Sequence, residues 1–410
     1  MSMMTSAAAP SLQFSNSNNL SEVKSSIGGG GPSFGKAPSL GIKRASSASV
    51  KQEWSSEVTV KQPASWDICD QLAQVPIDFP LERTHREIHG VSAKEVASRI
   101  QDALRKLSIQ AEYDGSQAKA KCTTCDMVSF RIRLYAGGED GLPVVVEVQR
   151  RNGSMSSFMR SCRAILDGAE GKDVCADASG PVGKKLPPFM KVPVGSMKCL
   201  ESAYKKSDPV ADMKNGLGRA TEMLKSDARD SNVLALENLS QMTDALKTRP
   251  DIALMASQKI LLAEDCELRE DIAIAVQRDV FSPEDDGQTL VSLAEQARHL
   301  GLMIFSNSLA LLSKKGSLDD AVKSQKWFTS YLIPTLVDEV RSCKTSANNS
   351  YEAACGLCCL ASSSETARRV MRDIGALEDL QVAQKFGKVH HELLSNETER
   401  CLQALGVASS

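Results

Sequence analysis

Twelve cysteines and five histidines are the side chains of this 410-residue chain best suited to hold a metal or to attack a substrate. Cys122-Thr123-Thr124-Cys125 has the spacing of half a structural zinc site, which needs four soft ligands in a tetrahedron and therefore a second such pair. The other pair, Cys355 with Cys358, lies far along the chain among Ala, Gly and Leu, where a thiol packs as a small hydrophobe. Cys122 and Cys125 therefore read as strand-edge thiols, and Cys355, Cys358 and Cys359 as helix-packing residues. None of His85, His89, His299, His390 and His391 belongs to a His-Glu-x-x-His arrangement. His85 and His89, four apart, would share a helix face with no third ligand, and His390-His391 reads as solvated at a helix start. No metal site is expected.

Phosphate and acyl chemistry find no better footing. Gly180-Pro181-Val182-Gly183-Lys184-Lys185 lacks the spacing and the Ser/Thr of a phosphate-binding loop, and Gly28 to Gly31 lies in low-complexity sequence. There is no Gly-x-Ser-x-Gly elbow and no convincing carboxylate pair. We expect no cofactor, no catalytic residue and no enzyme activity; an enzyme using a Cys or His site is the third reading, behind two binding readings. Lys43-Arg44-Ala45-Ser46-Ser47 sets hydroxyls after two basic residues, the context of a basophilic kinase, so Ser46 or Ser47 is a candidate for phosphorylation.

A more specific pattern lies between residues 118 and 151. Ala118, Ala120 and Cys122 alternate with Lys119 and Lys121, and Phe130, Ile132 and Leu134 alternate with Arg131 and Arg133. Successive side chains of a strand point to opposite faces. With the apolar set turned inward, Lys119, Lys121, Arg131 and Arg133 share the outer face, and Arg150 and Arg151, just past the last strand, lie at its rim. Such a face suits an anionic membrane, each basic residue contributing about 1 kcal/mol near the surface. Residues 91–170 nevertheless carry 12 basic against 10 acidic side chains, a net of +2, so a merely solvated face fits too.

The elements that must hold these residues follow from periodicity. Ser92-Ala93-Lys94-Glu95 has the capping-box pattern and opens a helix with Val96, Ile100, Ala103, Leu104 and Leu107 on one stripe. Strands follow over 118–122, 130–134 and 144–148, with a turn at Gly137-Gly138 and Asp140 to Pro143, and then a helix through Phe158, Cys162, Ile165 and Leu166. Helix, strands and helix, with Phe130-Arg131-Ile132-Arg133-Leu134 and Val146-Glu147-Val148-Gln149-Arg150-Arg151 followed by Phe158, resemble a kinase-associated-1 (KA1-like) domain over residues 86–171. The resemblance implies a module that binds acidic phospholipid or regulates within its own chain. No kinase domain precedes it, so the usual regulatory target is absent from this chain.

From residue 208 onward nearly every segment has helical spacing. Leu234, Leu236, Leu239, Met242 and Leu246 form one stripe, and a long helix runs from Leu290 to Leu312. Ile333-Pro334 starts another, with proline in the first turn. Leu312, Leu357 and Leu402 step by 45 residues (357−312 and 402−357). With the Ile-Pro start, a Ser/Asn loop at Ser346 to Ser350, an Ala/Cys/Leu helix and an Ile374-Gly375-Ala376-Leu377 turn, residues 333–380 are similar to an armadillo repeat. The resemblance implies an armadillo-like solenoid over 208–410 whose surface holds a protein or peptide. Earlier residues lack the Gly-Ala-Leu turn.

Composition bounds the rest. Apolar residues are 42% but aromatics only 4%, which favours packed helices, and 49 basic against 51 acidic residues leave no field to attract nucleic acid. No stretch reaches the roughly 20 apolar residues of a membrane span. Residues 1–85 read as a disordered tail with a short helix between Trp66 and Phe79, and 172–207, with Pro181, Pro187, Pro188 and Pro193, as a Lys/Pro linker. The start lacks a secretory signal but is Ser/Ala-rich and acid-poor, which leaves organelle targeting open. The expected whole is multidomain: a disordered tail, a two-layer α+β domain and an all-α armadillo-like solenoid, cytoplasmic or membrane-peripheral, its scattered cysteines reduced.

Overall fold

The alternation between residues 118 and 152 folds as an antiparallel sheet because one face must be apolar and the other polar. In the computed structural model, which describes residues 65–68, 71–76, 80–138, 143–174, 208–263, 267–277 and 288–407, the strands are β1 (His85–Ile88), β2 (Gln110–Asp114), β3 (Lys119–Thr123), β4 (Ser129–Ala136) and β5 (Val144–Asn152). Their order is β1-β5-β4-β3-β2, and every neighbouring pair is antiparallel. Helices α1 (Ala93–Lys106) and α2 (Met155–Ala169) cover one face. Val96, Ile100 and Leu104 of α1 and Phe158, Cys162 and Ile165 of α2 meet Phe130, Ile132, Leu134, Val144, Val146 and Val148 in one core. Each such aliphatic or aromatic side chain contributes about 1.5–3 kcal/mol by leaving water. Ser92 caps α1 by accepting the Glu95 N–H at 3.3 Å.

Three features differ from the sequence reading. β1 and β2 carry too few apolar residues to be read as strands, yet they pair with β5 and β3. His85 accordingly lies on a strand, and it shares no helix face with His89. The described residues between Trp66 and Gln74 are extended rather than helical: Trp66 stacks on Tyr113 at 5.5 Å, Ile68 joins the sheet core, and Ala73 O accepts the Ala136 N–H at 2.9 Å. Cys122 is buried on β3, an interior strand, not at the sheet edge.

The helical part comprises α3 (Pro209–Leu224), α4 (Arg229–Thr243), α5 (Pro250–Leu262), α6 (Glu267–Val276), α7 (Gln288–Lys315), α8 (Leu318–Ser324), α9 (Ile333–Arg341), α10 (Ala347–Ser363), α11 (Glu365–Asp373), α12 (Ala376–His390) and α13 (Glu392–Ala404). Asp208 caps α3 through the Val210 N–H at 3.0 Å, with Pro209 at the first position, where a missing donor costs nothing. α10 packs between α7 and α13, and Leu312, Leu357 and Leu402, one on each, are buried in a single core. The stripe expected on α4 is incomplete: Leu236 and Leu239 are buried, but Leu246 lies past the helix end and is 96% exposed. Helical winding also begins before Ile333. A π-helical turn, Phe328–Leu332, leads into α9, and the Thr335 hydroxyl bonds Tyr331 O at 2.8 Å just beyond the Pro334 ring, which has no N–H to give. Asn348, Asn349 and Ser350, expected in a loop, form the first turn of α10.

All described residues belong to one compact unit, Val60–Ser410, so sheet and helices share an interface. No helix among them is long and apolar enough to cross a membrane. Ser46, Ser47 and the lysines of the 184–206 stretch lie outside the described residues.

Candidate functional site

Strand register decides which basic residues share a face. Lys119 stands opposite Arg133 and Lys121 opposite Arg131; on the other side Arg133 faces Glu147 and Arg131 faces Gln149. Directly paired residues project to the same side of a sheet, so these four cations lie together on the face away from α1 and α2. Arg151, two residues on from Gln149, joins them and donates to Gln149 Oε1 at 3.0 Å. Arg150 does not. It pairs with Phe130, one of the inward set, just before the bulge between Phe130 and Ser129, and its guanidinium donates to Gly153 O at 2.7 Å. Both arginines are part of β5, not beyond it.

The face is less open than its sequence implies. Glu147, Gln149, Tyr135 and Val145 are buried within it. The Glu147 carboxylate accepts the Glu82 N–H at 2.8 Å and the Gln149 amide at 3.0 Å, placing an acid among the cations. Lys121 pairs with Glu112 at 3.5 Å, and Arg133 donates to the Tyr135 hydroxyl at 3.2 Å. Arg131 has no ion pair among the described residues. Burial, then the charges of Arg151 and Arg133, hold its pKa below the usual arginine value.

A second constellation was not legible in the sequence, because its members lie as many as 287 residues apart. It joins the sheet to the helices, and Asn348 is its centre. The Asn348 amide donates to Thr123 O at 3.1 Å and to Thr124 O at 3.2 Å, and its oxygen faces His391 Nε2 at 3.1 Å and Cys125 Sγ at 3.4 Å. Its backbone N–H donates to Gln110 Oε1 at 3.2 Å. From α7, His299 reaches Cys125 O with Nε2 at 2.8 Å and Asn349 Oδ1 with Nδ1 at 2.9 Å. Both nitrogens thus face oxygens, an arrangement filled by an imidazolium, or by a neutral ring with the Asn349 amide turned over. Leu393 N–H donates to the Ser108 hydroxyl at 2.8 Å, Gln110 to Thr345 O at 3.1 Å, and Arg105 pairs with Glu392 at 3.2 Å. The two sheet-side loops hold Ser108 (φ 54°) and Met127 (φ 60°) in the left-handed region, a strain of about 1–2 kcal/mol per residue that the surrounding bonds must hold in place.

His391, read as solvated, is buried here. It is the N-cap of α13, with Nδ1 accepting the Leu394 N–H at 3.1 Å. That bond puts the ring proton on Nε2, which donates to Asn348. Cys125 Sγ lies 3.8 Å from the same Nε2, yet a nitrogen already carrying its proton is no base for the thiol. Burial, with smaller contributions from Glu352 and Asp126, pushes Cys125 up to about 12, and burial lowers His391 to about 4. Cys, His and Asn, residue types that elsewhere make a nucleophile, here form an un-ionised lock. Behind them burial raises the Glu352 carboxyl, opposed by His299 and by the Ser306 hydroxyl that donates to it.

Among the described residues no group of three or more His, Cys, Asp or Glu side chains is arranged to hold a metal. Comparison with family models, with curated proteins and with solved structures finds no match to this chain, so its functional reading rests on the geometry above.

Proposed function

We propose that this protein is a non-catalytic adaptor in which the helices from Pro209 to Ala404 stack as an armadillo-like solenoid and hold a partner protein or peptide. The sheet unit acts beside them as a kinase-associated-1-like localising or regulatory module. Support for the solenoid comes from the side-by-side packing of α7, α10 and α13 and the equivalent burial of Leu312, Leu357 and Leu402. The partner reading is carried by one observation. Val382 and Val389 are 49% and 52% exposed, with Phe386 partly buried between them, so spacings of four and three make an apolar stripe on α12; Leu393, 42% exposed, lies past the break at His391 on α13. A stripe of this kind is usual on a surface that another chain covers.

The test uses the whole chain, purified from its native cells beside a Val382→Ser/Val389→Ser variant. A protein that copurifies stoichiometrically with the first and falls at least five-fold with the second supports the proposal. Identical sets of companions remove the stripe from it, and no stoichiometric companion removes the adaptor reading. A second reading, a peripheral regulator bound to anionic phospholipid, is favoured by the shared face of Lys119, Lys121, Arg131, Arg133 and Arg151. Neither reading calls for a cofactor or a nucleic acid.

A further inference from the structure

The junction between sheet and helices is bonded through Asn348, His299, Ser108 and Arg105, and a titratable ring, His391, caps the helix whose first turn holds the last two. Opening it frees three side chains at once: Asn348 from Thr123 O and Thr124 O, His299 from Cys125 O, and Ser108 from the Leu393 N–H. His391 is bonded on both nitrogens, as an acceptor at Nδ1 and as a donor at Nε2. A second ring proton has one place to go, Nδ1, where it meets the Leu394 N–H head-on. Protonation therefore removes the cap of α13 and sets two hydrogens against each other in a buried space. We propose that this junction is a proton-operated latch: protonation of His391 at Nδ1 releases the β3–β4 turn and the α1–β2 connection from α10, α12 and α13, parting the sheet from the helices.

The groups around the ring do not offset that proton. From the β3–β4 turn come Cys125, whose thiol stays protonated, and Asp126, whose carboxyl accepts the Thr124 hydroxyl. From α10 come Tyr351, with its ring 6.0 Å away and its hydroxyl pushed up chiefly by burial, and Glu352, which accepts from Ser306 and lies beside His299. α7 brings His299 itself. The end of α1 and the start of α13 bring Arg105 and Glu392, which pair with each other. On α12 the neighbouring His390 stacks on Phe386 at 4.6 Å. No acid is bonded to His391.

The direction follows from linkage. His391 titrates at about 4 when latched and near the ordinary 6.5 when open, so the open form binds the extra proton between those values. The latch is fully stable above pH 6.5 and loses stability as pH falls toward 4. At pH 5.5 the ratio of proton-binding factors, (1 + 10^1.0)/(1 + 10^−1.5), raises the opening equilibrium about ten-fold.

Hydrogen exchange on the intact chain at pH 7.5 and 5.5, corrected for the intrinsic pH dependence of exchange, reads this opening directly. About ten-fold more opening at pH 5.5 is expected for residues 123–128 and 391–395, with the core of α4 unchanged. A His391→Asn variant keeps a side-chain oxygen for the Leu394 N–H but cannot titrate, and its opening should not depend on pH. A pH-independent wild type overturns the latch, as does a variant that keeps the wild-type response, or an equal rise in α4 that marks general acid unfolding. Should the variant fail to fold, the His391 ring signals of the wild type decide by NMR titration. A midpoint below 5 supports the latch, and one near 6.5 with the junction closed overturns it.

Discussion

Cys125 shows how far residue type alone can mislead. A Cys-x-x-Cys pair invites a zinc reading, and a thiol 3.8 Å from an imidazole with an asparagine alongside invites a nucleophile. Hydrogen-bond direction settles the chemistry: the imidazole proton is on the nitrogen nearest the sulfur, and burial opposes thiolate. With its pKa near 12 against an ordinary 9, Cys125 has about a thousandth of a free thiol's thiolate at pH 8. Alkylation by iodoacetamide at that pH, followed site by site with mass spectrometry, should be about a thousand-fold slower at Cys125 than at a free cysteine. A rate equal to or above the free thiol's would restore the nucleophile. Alternation likewise assigned Lys119, Lys121, Arg131 and Arg133 to one face from sequence, and carried through β5 it sets Arg150 in phase with Val146 and Val148, on the other.

At the scale of elements, the basic sheet face and the apolar stripe on α12 lead to opposite behaviour toward membranes. Five cations share the face, but Glu147 is buried among them and Glu112 neutralises Lys121. Flotation with vesicles of phosphatidylcholine and phosphatidylserine tests which prevails. Under the adaptor reading the chain floats no better with phosphatidylserine present. Under the membrane reading it floats with the anionic vesicles, and replacing Arg131, Arg133 and Arg151 by alanine costs about 1 kcal/mol per charge, a loss on the order of a hundred-fold in partitioning. Elements with strong periods, such as α1, α7 and β4, were legible because one face must be apolar. β1 and β2 were not, since their pairing energy comes from backbone bonds to partners distant in sequence.

Across the whole molecule, sheet and helices form one unit instead of modules on a passive tether. A protease site engineered into residues 175–207 and cut in the purified protein tests this. The two pieces should co-elute in gel filtration at micromolar concentration and neutral pH. Asn348→Ala takes a donor from Thr123 O and from Thr124 O, which keeps only the Met127 N–H, and strands the His391 Nε2 proton. At about 1–3 kcal/mol per stranded buried group, the pieces should bind at least ten-fold more weakly. Pieces that separate freely without the substitution would show that the junction does not hold them.

Sequence by itself determined the order of α+β followed by helices, the inward and outward sets of the central strands, and the 45-residue spacing of Leu312, Leu357 and Leu402. These rest on local periodicity, which is written in neighbouring residues. Tertiary structure alone decided that His391 is buried and that Asn348 bonds the β3–β4 turn. Each depends on groups brought together by the folding of hundreds of intervening residues, and a polar side chain reads the same in sequence whether water or another chain segment satisfies it.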